Sequence, residues 1–185
     1  MKGLQEDLAQ DLKELLAKQR NALTQLQALN ESELNQKPSA DSWSALECIE
    51  HLCRYGDFYL PECNAVLLTA KAKKEQYFKS SLLGEYFAKS MWPQQSTKPM
   101  NTFKNMNPSF SETRAEVLEE FSQQLKQWED FIAKAEAYSW SKIKTSISIS
   151  KLIKLRLGDT LRVVIYHQER HLKQAFKAAG LNWPD

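Results

Sequence analysis

The segment YHQERHLKQ, residues 166–174, carries His167 and His171, two of the chain's three histidines. On a helix this spacing puts both imidazoles on one face, one turn apart. The same i, i+4 pair holds the metal in H-E-x-x-H zinc proteases. There a glutamate directly after the first histidine takes a proton from water on the metal. Here that position is Gln168, whose amide cannot act as a base. Glu169, two residues after His167, points about 200° away around a helix. The pair stands as two candidate ligands without the protease's base.

The third histidine, His51, falls on the interior side expected for a second helix, whose inward stripe takes Cys48, His51 or Leu52, Tyr55, Phe58 or Tyr59, and Glu62. Leu161, Val164 and Ala175 flank the His167–His171 face and turn it inward. Helical bundles build metal sites in this way, from side chains on facing helices. Three neutral imidazoles leave coordination positions open for water or substrate, a catalytic rather than a structural arrangement. A histidine pair at this spacing is more often hydrogen-bonded core, so spacing alone leaves both readings open. The observation favouring one site is that all three histidines of the chain fit it. Gln174, about 20° from the direction of His167, is a candidate partner for a ligand histidine or a bound water. Tyr55, one turn after His51, is a candidate proton donor, though a core aromatic explains it as well. Cys48 could add a fourth ligand, but small buried cysteines usually only pack. Glu47 is accounted for by helix capping, Trp43 by packing and Arg170 by an ion pair.

The elements that must position these groups read as helices. Leucines at 4, 8, 12, 15, 16, 23, 26 and 29 mark a first amphipathic helix, ending before NQKPSAD. In SWSALE, Ser44 and Glu47 form a capping box that opens a second helix over 45–74, with Pro61 as a possible kink. A connection over 75–110 follows, broken by Pro93, Pro99 and Pro108, with SLLGEYFAK as a short helix. It is long enough to cross the bundle and make the second and third helices parallel. The third helix is expected from Ser109 or Ser111, with Val117, Phe121, Leu125, Trp128 and Ile132 inward. The stretch 141–159 alternates partly at period two and reads as a loop holding one short extended piece. Asp159 is the expected N-cap of a fourth helix over 160–179, which Gly180 closes as a C′ residue. The expected fold is an all-α four-helix bundle, a single domain over 1–185.

Composition excludes several classes. Five glycines in 185 residues suit long helices. No run of about 18 apolar residues offers a membrane span, and the charged, periodic N-terminus is no secretory signal. Cys48, Cys53 and Cys63 form no disulfide framework and imply reduced thiols in a cytoplasmic protein. A net charge of +2 does not indicate a nucleic-acid binder. Five basic residues and no acid between Lys142 and Arg156 could attract an anionic thiol co-substrate or nucleic acid, but they lack the interleaved aromatics of a single-strand binder, and a solvated basic loop is the default reading.

Taken together, Trp43-Ser44 opening the second helix, His51-Leu52, and H-x-x-R-H-x-x-Q as His167, Arg170, His171 and Gln174 resemble the DinB/YfiT-like superfamily of small helical metal proteins. The proline-bearing STKPMNTFKNMNPSFSE adds to the likeness, which runs from Leu26 through Ala178. The resemblance implies an up-down-down-up bundle with a long second crossover, and a divalent metal, zinc or nickel, on His51, His167 and His171. It also implies a small-molecule substrate and often a homodimer. Family activities include thiol S-transfer with low-molecular-weight thiols, a thiol-dependent isomerisation and metal-dependent hydrolysis. The lack of a base beside His167 favours activation of a thiol co-substrate over activation of water. A non-catalytic metal- or small-molecule-binding module of a stress response is the alternative.

Overall fold

The computed structural model describes residues 1–92, 102–110 and 114–184. Helix α1 (Gln5–Gln27) buries Leu8, Leu12, Leu16, Leu23 and Leu26, the stripe expected from their spacing. A short helix α2 (Glu31–Leu34) follows, opened by a capping box of Asn30 and Glu33. Helix α3 (Ala45–Leu68) begins as the sequence indicates. Ser44 Oγ accepts from the Glu47 amide, and the Glu47 carboxylate accepts from the Ser44 amide. Pro61 lies inside this helix. The helix stops six residues before the expected Lys74 because its continuation has a tertiary partner: Ser139 N–H donates to Ala72 O and Lys74 N–H to Ala137 O.

Helix α4 (Leu82–Met91) is the short helix expected within the connection, capped by Ser81. Helix α5 (Val117–Ala135) starts later than Ser109 and buries Val117, Phe121, Leu125, Trp128 and Ile132 as expected. Pro108–Phe110 instead form a single 3-10 turn. The breaks at Pro93 and Pro99 and the alternative start at Ser111 lie outside the described residues. Helix α6 (Leu157–Ala178) closes on Gly180, whose φ of 70° is the left-handed conformation a C′ glycine supplies. Gly180 N–H donates to Lys177 O and Leu181 N–H to Phe176 O, the two bonds of a Schellman ending.

Two expectations need correcting here. Asp159 is not the N-cap. Helix α6 has its N-cap three residues earlier, at Arg156, without a side-chain cap. It needs none because the Leu157 and Gly158 amides donate to the Ile143 and Trp140 carbonyls. Asp159 lies fully buried in the first turn and accepts from both hydroxyls of Ser80 and Ser81 and from the Ser81 amide. This carboxylate ties α4 to α6, and Gly84 makes room for it: a Cβ there would stand 2.0 Å from Asp159 Oδ2.

The chain is mostly helical but not purely α. Strand β1 (Lys2–Leu4) pairs antiparallel with β2 (Tyr77–Lys79), and β3 (Lys144–Ile147) with β4 (Ser150–Arg156). The stretch 141–159, expected to be a loop holding one short extended piece, instead holds two strands that pair with each other in a hairpin.

Contacts set the relative directions of the long helices. The Cys53 thiol meets the Val117 carbonyl, and Gln124 donates to the Cys53 carbonyl and the Asp57 carboxylate. Positions in α3 and α5 therefore rise together. Between α1 and α5 they oppose, with Lys13 on Glu136 and Arg20 on Glu129. Between α3 and α6 they oppose again, with His51 facing His171 and Tyr55 facing His167. The apolar core runs between these helices and includes the fully buried Trp128, Phe121, Phe131 and Phe176.

Candidate metal centre

His51, His167 and His171 come together in the gap between α3 and α6. Their nearest ring nitrogens all lie within 4.8 Å of one another, and His51 Nε2 stands 3.2 Å from His167 Nε2. Ring centroids are 4.5 to 5.0 Å apart across the three pairs. His51 and His167 are buried and His171 is half-buried. The two helices run in opposite directions here, so one histidine of α3 meets two histidines a turn apart on α6.

Two rings are oriented from behind. His51 Nδ1–H donates to the Met106 carbonyl at 2.7 Å, which leaves the Nε2 lone pair facing the other histidines. His171 Nδ1–H donates to Gln174 Oε1 at 2.9 Å, again freeing Nε2. The Trp43 indole packs over the His51 and His171 rings at 4.8 and 5.8 Å, and its Nε1–H donates to Ser109 Oγ. Burial lowers His51 to about 4, with Arg54 acting in the same sense and the Met106 hydrogen bond opposing. Burial and the neighbouring imidazoles hold His167 and His171 well below the usual histidine range. All three rings are therefore neutral at pH 7.

Tyr55 stands beside the cluster, its ring 4.5 Å from that of His167 and 4.9 Å from that of His51. Burial and the adjacent Tyr59 push its phenol up to about 12, so it keeps its proton at neutral pH. Cys48 is not part of the cluster; it packs in the core, where burial pushes its thiol up. Glu47 has its capping partners and an ion pair with Lys37. Arg170 lines the cavity and donates to the Ser90 carbonyl.

The cluster opens on a cavity of about 1120 Å³. Asp41, Trp43, Tyr59, Phe103, Ile147 and Ile149 are among the residues that border it. The profile of the DinB superfamily matches residues 14–175, which takes in all three histidines, Tyr55 and Gln174. The chain belongs to the DinB superfamily. No curated protein and no solved structure matches it. In this DinB protein, sequence reading places the three histidines and Gln174 in one locale. It misses the Met106 carbonyl, because a main-chain acceptor leaves no trace in residue type. It misses the β3–β4 hairpin as a wall of the cavity, although the alternation in TSISIS carries the signal.

Proposed function

We propose that this DinB-superfamily chain is a metal-dependent enzyme in which His51, His167 and His171 hold a divalent ion, zinc or nickel, and a low-molecular-weight thiol is the co-substrate. The observation that carries the reading is the convergence of three neutral imidazoles, two of them bonded through Nδ1 so that Nε2 is presented to the common point. The donor set fits a borderline ion that accepts nitrogen ligands and keeps positions open for another molecule. An ion held there supplies Lewis acidity, which lowers the pKa of a thiol or of water.

The remaining work falls to side chains of this chain. The protonated Tyr55 phenol donates a hydrogen bond to a polar group of the bound molecule. Gln174 and the Met106 carbonyl keep two imidazoles in register, and Trp43 shields the cluster. Among the described residues, Asp41 is the one carboxylate bordering the cavity, and it is exposed. Glu169 pairs instead with Lys173. With no buried carboxylate among the described residues that border the cavity, thiol transfer is favoured over hydrolysis.

The helix directions support an up-down-down-up order for α1, α3, α5 and α6. The three free buried cysteines support a cytoplasmic setting. The exposed apolar residues Leu82 and Leu152 support a homodimer. The test is a panel of small thiols with the electrophile 1-chloro-2,4-dinitrobenzene and metal-loaded protein. Thiol consumption that requires both the metal and His167 is the expected result. Stoichiometric metal with no thiol turnover would make the chain a non-catalytic binding module. Ester hydrolysis without thiol would make it a hydrolase.

A further inference from the structure

The β3–β4 turn is fixed over the cavity by more bonds than a surface hairpin needs. Thr145 and Thr160 share a buried hydroxyl–hydroxyl bond at 2.7 Å. The Ser146 amide donates to the Glu62 carboxylate at 2.6 Å. The Ser148 amide donates to Tyr59 Oη at 3.2 Å. The Tyr59 ring stacks with that of Tyr55 at 16° and 6.3 Å, so the tyrosine beside His167 is joined to the turn through Tyr59.

The pairing register shifts between Ser146 and Ile147, an irregularity by which a strand re-aims a side chain. Ile147 and Ile149, on either side of the anchored Ser148, both border the cavity. Phe87 and Met91 of α4 and Val163 and Val164 of α6 extend the apolar lining. Among the described residues, the charged side chains at its border are Asp41 and Arg170, of opposite sign.

From this geometry we infer that the anchored turn selects molecules joining a metal-seeking head to an uncharged apolar body, with Ile147 and Ile149 as the residues that read the body. The inference rests on the three-histidine metal reading and adds the substrate class. The cavity has the volume of a site for a drug-sized ligand. Its apolar walls recover transfer free energy only from a body that is itself apolar, and a second carboxylate in that position would lose its hydration without a committed partner. The phenol of Tyr55 sits at the junction, where the polar head meets the apolar tail.

The test uses cobalt(II)-loaded protein, whose visible spectrum reports ligands reaching the metal. The probes are acetohydroxamate, octanohydroxamate and succinic monohydroxamate, which share a metal-binding head and differ in the tail. Octanohydroxamate should bind at least about tenfold more tightly than acetohydroxamate, and the carboxylate-tailed probe should not share the gain. Ile149→Asp, at a turn position 45% exposed and so compatible with folding, should cut the octano-to-aceto affinity ratio at least about fivefold. Equal binding of all three probes, or a ratio unchanged in Ile149→Asp, overturns the inference while leaving the metal site standing. If cobalt does not bind one to one, or no hydroxamate changes its spectrum, the metal reading falls and the inference falls with it.

Discussion

Acid should destabilise the metal-free protein through its histidines, in a window set by His51. In the unfolded chain this imidazole takes a proton near pH 6.5. In the folded protein burial holds it neutral down to about pH 4. Above pH 7 both states are neutral and His51 contributes no pH dependence. As pH falls below 6.5 the unfolded state gains a proton that the folded state refuses, so stability drops until the folded value is passed. The gap amounts to about 2 kcal/mol by pH 5 and approaches about 3 kcal/mol near pH 4. His167 and His171 act in the same direction. The Asp57 and Glu120 carboxyls, raised chiefly by burial, act in the opposite direction and add stability on acidification. The comparison must therefore be variant against parent. Urea unfolding of chelator-treated protein from pH 8 to pH 5 should show a falling stability, and His51→Gln should remove about 2 kcal/mol of that fall. An identical pH dependence in parent and variant would refute the claim that the fold holds His51 neutral.

Three further outcomes are expected. Gln174→Ala, at an exposed position, should leave the fold intact and weaken metal binding about 10- to 100-fold by releasing His171 Nδ1, as measured by competition with a chelating dye. Asp159→Ala should lower stability by about 3–5 kcal/mol in chemical denaturation, because the Ser80 and Ser81 hydroxyls and Arg162 lose a buried carboxylate. Gln168 is buried with neither amide atom bonded to protein, so Gln168→Met should match or exceed the parent in thermal stability; a melting temperature several degrees lower would imply that the amide has partners.

How far the sequence reaches depends on the kind of interaction. Periodicity reveals α1, α3, α5 and α6 because each buries a stripe of side chains, and residue type and spacing suffice to see a stripe. The capping box at Ser44 and Glu47 and the glycine ending at Gly180 are equally local, and both are found as read. The ends that go wrong are those decided by distant backbone. Helix α3 stops at Leu68 because 72–74 pair with 137–139. Helix α6 starts before Asp159 because carbonyls of Trp140 and Ile143 satisfy its first amides. Asp159 has the right residue type for a cap, yet its partners, Ser80 and Ser81, lie nearly 80 positions away. At the candidate centre the same division holds. The histidines and Gln174 are legible as one helix face and its opposite, whereas the Met106 carbonyl and the anchored Ser148 turn arise only when separate segments meet.

The central claim is that His51, His167 and His171 together hold one divalent ion. Metal analysis by mass spectrometry of the purified parent beside His167→Ala tests it most directly, with circular dichroism to check the fold. The account predicts about one equivalent of zinc or nickel in the parent and little in the variant. The variant should keep its helical spectrum, because the leucine and aromatic core tolerates a loss of about 1–3 kcal/mol. Full metal content in folded His167→Ala, or a parent that binds no divalent ion after loading, would contradict it.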